Sequence, residues 1–560
     1  CQQLMPTRGF QSSTDYQLHF GLDVCQKIDS ILIVWPNQKY QIIRDSDVNK
    51  LLSVNESMAS GVFKIENFVP TIQENFVDIS SQVQCDWRHS ENQFEDFNNQ
   101  HLIPHKESTR GPKLAVADVN NDGLDDFYVC GASGTPGALM IQTLDGNYVS
   151  SDTTLFNRFS ICEDVDAHFF DANGDGSLDL WVVAGGNQMP LSPISNADRL
   201  FLNDGNGNFN VTLDDMPQTY LTKSCIASAD VDRDGDIDVF VGVLVDQYKF
   251  GIPQSSQLYL NNGSGKFTNA DKTIIDLNQV GMVTSARFED LNNDEWPELI
   301  VAGEFMPITV YWNRKGKFEK KQLPGSSGIW QTLHITDVNE DGNLDILAGN
   351  WGLNTKLASG KNGPVKLYTA DFDLNGTTES ILCYTIDGVE YPFLPKDILE
   401  PSMPVLKKAY LTYSEVAGKS VQYMFYDLFK NYTEMQAEVL ASSSFLNLGN
   451  ENFNREDLPL EAQLSPIFSF SEYGFAKEKL IVAGGNFYEV LPYEGRYDAQ
   501  SIILLSTSSS SIQYVHQTNL LNTKGQVRDL KWVKGVNQEY LLAARNNDSL
   551  IFFKFSPTPN

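Results

Sequence analysis

At 560 residues the chain exceeds one ordinary domain, and length alone predicts two to four domains unless a repeat ring takes most of it. Hydrophobic residues make up 41% and charged residues 20%, the balance of a packed globular protein rather than a disordered one. A formal charge of −31 argues against nucleic acid as a partner, because its phosphates would be repelled, and suits a chain that holds divalent cations.

No apolar run reaches the roughly 18 residues of a transmembrane helix, and no signal peptide is visible. The cysteines Cys1, Cys25, Cys85, Cys130, Cys162, Cys225 and Cys383 lack CxxC spacing, and their odd number does not describe a disulfide framework. They are expected to be mostly free, with a single bridge such as Cys130–Cys162 left open. Cys1 could carry a lipid anchor in the full-length protein, although the residues after it already read as the interior of a domain.

In chain order, residues 1–86 read as a small, partial β domain and residues 87–560 as a repeat array. The strand-like segment Phe94 to Ile103 precedes the first repeat. A loop of the form D-x-[DN]-x-D-G-x-x-D then appears with Asp118, Asn120, Asp122 and Asp126. It returns with Asp171, Asn173, Asp175 and Asp179, with Asp230, Asp232, Asp234 and Asp238, and with Asp337, Asn339, Asp341 and Asp345. Two weaker copies carry Asp290, Asn292, Asp294 and Glu298, and Asp371, Asp373, Asn375 and Glu379. After the acidic loop, an apolar run ends in a small residue, as in Val182-Val-Ala-Gly185, Val239-Phe-Val-Gly242 and Ile300-Val-Ala-Gly303. A hairpin with Asn/Gly turns follows, clearest in Leu200-Phe-Leu-Asn-Asp-Gly-Asn-Gly-Asn-Phe209.

Each unit therefore predicts strand, acidic loop, strand, strand, turn, strand, which is one propeller blade. Seven small residues that end the runs, from Gly131 to Ala544, lie 54, 57, 61, 46, 135 and 60 residues apart. The long gap predicts an insertion at about 355–445 inside the fifth blade, partly helical over 404–440. The seventh unit stops after three strands, so a strand from the N-terminal side, Phe94 to Ile103, is expected to complete it and remove the open edge. The fold class is all-β: a seven-bladed β-propeller with calcium loops, preceded by a small partial β domain.

Calcium takes six to eight oxygens in a flexible shell, and loop positions 1, 3, 5 and 9 supply carboxylate or amide oxygens. An EF-hand loop begins the same way but needs a Glu at position 12 and flanking helices. Here position 12 is Val129, Val182, Val241 or Ala348 and the flanks read as strands, so that alternative fails. Plain Asp/Asn/Gly turns would explain one copy but not four near-identical copies at blade spacing. In the Asp290 copy Glu295 replaces the glycine and Pro297 intrudes, which leaves that loop evenly balanced between metal and turn.

These residues resemble FG-GAP/VCBS repeats over about 87–556. The first 80 or so residues resemble the second half of an ASPIC/UnbV domain, carried by Pro6-Thr-Arg-Gly-Phe10, His19-Phe-Gly-Leu22 and Ile31-Leu-Ile-Val-Trp35-Pro36. The resemblance implies bacterial surface lipoproteins that combine such domains, and hence an extracellular or outer-membrane-associated location. The expected function is non-catalytic binding of a glycan or surface protein. The insertion aromatics Tyr384, Tyr391, Phe393, Tyr410, Tyr413, Tyr423 and Tyr426 either serve as a platform or pack its own core. The alternative is a calcium-dependent polysaccharide lyase or hydrolase, with His334 and His168 the weak candidates for a base. Both precede their loops in the same register, which favours strand packing.

Overall fold

The computed structural model describes residues 2–7, 9–68, 74–357, 363–475, 478–508, 511–536 and 538–556. Cys1, the candidate lipid site, lies outside the described residues. The chain forms two compact units, Cys1–Gln73 and Glu74–Asn560. The first holds a three-stranded antiparallel sheet of Lys27–Val34, Lys39–Asp47 and Gly61–Val62. Among its described residues only Gln41 and Ser46 are buried, so this unit has no apolar core of its own.

The second unit is all-β apart from short helices. Besides the sheet of an insertion, it contains seven antiparallel sheets, each built on four strands, with strand order following the chain in all but the fourth strand of the seventh. Their first strands are Leu114–Ala117, Glu163–Phe170, Thr222–Ala229, Met282–Glu289, Thr332–Thr336, Ile467–Phe475 and Gln526–Lys534. Each packs against the first strand of the next sheet, and the seventh packs against the first. Leu114 N–H donates to Asp529 at 2.9 Å across that last junction. The second strands, such as Asp238–Val245 and Glu298–Met306, are buried along their whole length, which is why they read as unbroken apolar runs. The glycine near the end of the run answers to close approach: a Cβ at Gly303 would sit 2.0 Å from the Met282 carbonyl oxygen, and one at Gly242 would sit 2.7 Å from Val283 Cγ1.

The seventh sheet takes its fourth strand from the N-terminal side, but from Phe76–Asp78 rather than from Phe94 to Ile103. Phe76 is fully buried against Trp532 and Phe555. Residues 74–86 accordingly belong with the second unit, and the division falls at Gln73 instead of at residue 86. Residues 94–111 do something the sequence did not suggest. They cross the end of the sheet array opposite the acidic loops and touch sheet after sheet. Asp96 accepts from Asn187, Gln100 from the Phe250 N–H, and Glu304 lies 3.0 Å from His105. Arg110 donates to Gln331, Lys106 N–H to the Glu489 carbonyl, and Asn546 to the Gly111 carbonyl. Leu102 and Ile103 are buried in one cluster with Leu244, Met282, Trp351 and Phe487. The apolar residues that suggested a strand are there to fill this plug.

Between Gly349 and Ser443 the fifth sheet is interrupted by a separate four-stranded sheet of Val365–Ala370, Glu379–Ile386, Val389–Pro392 and Thr433–Ala437. Short helices at Pro404–Ala409 and Val421–Phe425 accompany it. Phe393 is buried, whereas Tyr413, Tyr423 and Tyr426 are exposed. Cys25, Cys85, Cys130, Cys162, Cys225 and Cys383 are all free thiols, so the bridge Cys130–Cys162 does not form.

Candidate metal-binding loops

All six acidic loops adopt one backbone path. The position-1 carboxylate closes it. Asp118 accepts the N–H groups of Asp122 and Gly123 at 3.1 and 2.8 Å, and Asp337 accepts those of Asp341 and Gly342 at 3.2 and 2.9 Å. Asp171, Asp230 and Asp371 do the same for Gly176, Gly235 and Gly376. Position 6 is left-handed throughout, at φ +87, +86, +99, +88 and +91 for Gly123, Gly176, Gly235, Gly342 and Gly376. The Asp290 copy keeps this path without glycine: Glu295 holds φ +67 and its N–H still reaches Asp290 at 2.6 Å. A left-handed non-glycine residue costs about 1 kcal/mol or more, so the rest of the loop imposes this conformation.

Position 9 is a buried staple. Asp126 accepts the Val119 and Gln142 N–H groups at 3.1 and 2.8 Å. Asp179 accepts those of Ala172 and Asn203, Asp238 those of Val231 and Asn261, and Asp345 those of Val338 and Asn447. Glu298 and Glu379 hold the Leu291 and Phe372 N–H groups with their longer side chains. Burial pushes Asp126, Asp238, Glu298 and Glu379 up to about 7 and Asp179 up to about 6, and repulsion from the other acids of each loop adds to this. Asp345 is raised for the same reasons. Among the described residues none of these six carboxylates has a protein cation within 4.0 Å. An all-oxygen set around buried, mutually repelling carboxylates fits a hard divalent cation.

Convergence differs between loops. Carboxylate oxygens of Asp230, Asp232 and Asp238 lie within 4.8 Å of one another, and so do those of Asp371, Asp373 and Glu379. Asn120, Asn173 and Asn339 occupy position 3 of three others and supply an amide oxygen instead. Asn173 and Asn339 also donate to Asp175 and Asp341 at 3.0 Å each. In the Asp290 copy the Asn292 amide donates to Glu298 at 3.1 Å, so two of its four candidate groups satisfy each other, while Asp294 accepts the Trp296 N–H. Asp122 and Asn375 likewise accept from Leu124 and Thr377, and Asp234 from Asp236.

A repeated asparagine escapes the sequence reading. Asn203, Asn313 and Asn447 end the third strands of sheets two, four and five, and Asn261 directly follows that of sheet three. Each side chain donates to a loop carbonyl of the preceding sheet: Val119 at 2.8, Ala172 at 2.8, Val231 at 2.8 and Leu291 at 2.9 Å. Each also donates to its own loop, at Leu178, Ile237, Pro297 and Leu344. In the first sheet Gln142 plays this part, joining the Asp125 carbonyl to that of Lys534 in the seventh sheet at 2.8 and 3.1 Å. The signal is present as Leu-x-Leu-Asn at Asn203 and Asn261, Val-Tyr-Trp-Asn at Asn313 and Ser-Phe-Leu-Asn at Asn447, but in sequence it reads as turn chemistry.

The histidines considered as bases are engaged. His334 Nε2 lies 3.1 Å from Glu472 and His168 Nδ1 lies 3.1 Å from Ser228. At the plugged end His105, Glu107 and Glu304 converge, but the Arg110 guanidinium sits among them, 2.8 Å from Glu107 and 2.7 Å from Glu304. A fixed cation already fills that cluster. In the sixth sheet Arg496 lies 3.9 Å over the Tyr488 ring and Tyr497 bonds Glu494 and Thr355, a braced loop.

Residues 1–61 match the family described as ASPIC and UnbV, and residues 171–241, 244–301 and 290–348 match the FG-GAP-like repeat. Saccharomyces cerevisiae Sqt1 is similar over 82% of this chain and 100% of its own, at 9% identity and a TM-score of 0.36. YCF48 bound to D1 peptide is similar over 84% of this chain and 100% of its own, at 10% identity and a TM-score of 0.36. No curated protein matches the chain.

Proposed function

We propose that this chain, which carries FG-GAP-like repeats behind an ASPIC and UnbV segment, is a non-catalytic, calcium-binding seven-bladed β-propeller that binds a glycan or a surface protein outside the cell. The observation that carries the reading is the buried position-9 carboxylate, repeated in six loops of one backbone path with no protein cation beside it among the described residues. Seven sheets whose first strands contact one another in sequence, the seventh against the first, support the ring. The ions would be structural, fastening the first strand of each sheet to its second. Extracellular calcium modules bind with dissociation constants of about 10⁻⁴–10⁻³ M, so such sites fill outside cells, at an outer-membrane surface for example. No helix among the described residues is long and apolar enough to cross a membrane.

The exposed tyrosines of the insertion, Tyr413, Tyr423 and Tyr426, offer an aromatic surface suited to a sugar or a protein anchor. Engagement of His168 and His334 in contacts between sheets favours binding over the lyase or hydrolase alternative. The test is metal content. After exhaustive EGTA treatment and re-equilibration in millimolar calcium, elemental analysis should give four to six ions per chain; a count of zero in folded protein sinks the proposal.

A further inference from the structure

One stretch of the insertion reverses the charge of the rest of the chain. Residues 403–430 carry four lysines against two acids, in a protein of net charge −31. Lys407, Lys408, Lys419 and Lys430 are exposed, and none of them has a carboxylate oxygen within 4.0 Å among the described residues. The carboxylates in and beside the stretch are engaged, with one exception. Glu415 accepts the Thr412 N–H and hydroxyl at 2.7 and 3.0 Å. Asp397 accepts from the Tyr413 hydroxyl and Glu400 from Lys396. Glu390 accepts from Lys366, Tyr368 and Gln422. The exception is Asp427, exposed three residues before Lys430.

Direct contacts bring lysines and tyrosines of this stretch together. Lys407 and Lys408 lie in the last turn of the helix Pro404–Ala409, and Tyr410 follows it directly. The Tyr410 ring lies 6.4 Å from that of Tyr423, and its hydroxyl donates to the Tyr423 carbonyl at 3.0 Å. Lys419 Nζ sits 4.9 Å from the Tyr423 ring centroid. Leu411, Tyr413, Tyr423 and Tyr426 all face water. Tyr426, 77% exposed, ends the helix Val421–Phe425 with φ +38 and ψ −111. A bulky residue at positive φ is strained and persists only where its surroundings enforce it. Here Phe425, buried against Phe372 and Phe429, fixes the chain just before it. Strain that holds an aromatic ring out in water adds nothing to the packing of the insertion, and such strain collects at binding sites.

We propose that this surface binds an acidic polysaccharide, with tyrosine rings stacked on the sugars and Lys407, Lys408 and Lys419 facing their carboxylates. The inference rests on the reading of the exposed tyrosines as a glycan surface, and it names the class of glycan. A uronic acid joins an apolar ring face to a carboxylate fixed at the edge of the ring. Tyr423 and Lys419 offer the complement, an aromatic ring and an ammonium in contact, and the ammonium is open to a charge-assisted hydrogen bond. A neutral glycan would leave the lysines unused, and an acidic peptide lacks the rigid ring. The acidic balance of the whole chain repels a polyanion elsewhere, which confines it to this patch.

The probes are cellohexaose, the hexaglucuronate that carries a carboxylate on each ring where cellohexaose has a hydroxymethyl group, and a hexaglutamate peptide. Each is titrated into the full chain by calorimetry in millimolar calcium. Hexaglucuronate should bind saturably at one site per chain, at least tenfold more tightly than either other probe, and should weaken as salt rises. Lys407→Gln with Lys408→Gln and Lys419→Gln should lower that affinity at least tenfold, and so should Tyr423→Ala with Tyr426→Ala. Lys315→Gln with Lys317→Gln, on the hairpin of Thr309–Asn313 and Phe318–Gln322, should leave it unchanged. The three lysines are exposed, so their variant carries the test even where the tyrosine variant does not fold. Equal binding of cellohexaose overturns the proposal and leaves a neutral-glycan surface, and equal binding of hexaglutamate overturns it in favour of an acidic peptide. No saturable binding of hexaglucuronate, or unchanged affinity in a folded lysine variant, also overturns it. The calcium count per chain, measured independently, decides the propeller reading in every case.

Discussion

Replacing Asn203 by Ala tests whether the asparagine clamps hold neighbouring sheets together. Asn203 is 4% exposed, and its amide bridges the Val119 and Leu178 carbonyls at 2.8 and 3.1 Å while accepting the Gly205 and Gly207 N–H groups. Truncation leaves both carbonyls buried and unpaired at about 1–3 kcal/mol each, so a loss of about 2–4 kcal/mol is expected after partial hydration. Asn210 in the next strand is exposed, and its truncation should stay within about 0.5 kcal/mol. Urea unfolding in excess calcium measures both, with the midpoint shifting at constant slope. Hydrogen exchange gives the directional readout. Val119 lies 84 residues before Asn203, in the loop of the preceding sheet, and amides of residues 119–126 should exchange faster in the Asn203→Ala variant. If Asn203→Ala costs no more than Asn210→Ala, or if exchange rises only around residue 203, the clamp does not couple the sheets.

Three further outcomes follow from the same geometry. Asp230→Ala should remove one calcium ion per chain relative to the parent, because the carboxylates of Asp230, Asp232 and Asp238 converge within 4.8 Å; an unchanged count by elemental analysis would place the ions elsewhere. Phe76→Ala should destabilise by about 3–5 kcal/mol in chemical unfolding, since Phe76 is fully buried, while Phe94→Ala on a half-buried residue should cost less. Burial opposes ionisation of Glu472, but His334, Thr336 and Lys479 outweigh it and hold the carboxyl down near 2, against 4.5 when unfolded. That stability is present above pH 4.5 and is lost as pH falls from there toward 2, so Glu472→Gln should flatten the unfolding profile in this window. An identical acid profile in the variant would show the pair to be energetically silent.

Much of the architecture was legible because it is local and repeated. The Asp-x-Asx-x-Asp-Gly loops fix their own path through carboxylate-to-backbone bonds within six residues, as Asp118 does with Asp122 and Gly123. The apolar run ending in glycine reports burial on both faces, which follows from stacking one sheet on the next. Even the Asp290 loop follows the path, although its Glu295 breaks the glycine rule. The Leu-x-Leu-Asn ending was visible too, but a single side chain that bonds a carbonyl 84 residues away looks in sequence like a turn residue.

The sequence by itself therefore determined the sheets, their order, the loops and the interruption of the fifth sheet, because hydrophobic period, turn residues and spacing act over a few residues. Only the tertiary structure decided which segment fills which gap. Phe76–Asp78 is three residues long and carries no strand signal; it is a strand because Ile551–Phe555 offers an unpaired edge and Trp532 and Phe555 offer a place for Phe76. Phe94 to Ile103 is longer, yet it becomes part of the plug because Leu102 and Ile103 are buried in the cluster of Leu244, Met282, Trp351 and Phe487 at the end of the sheet array. Long-range burial and edge pairing are settled by competition across the whole chain, and no window of sequence contains both competitors.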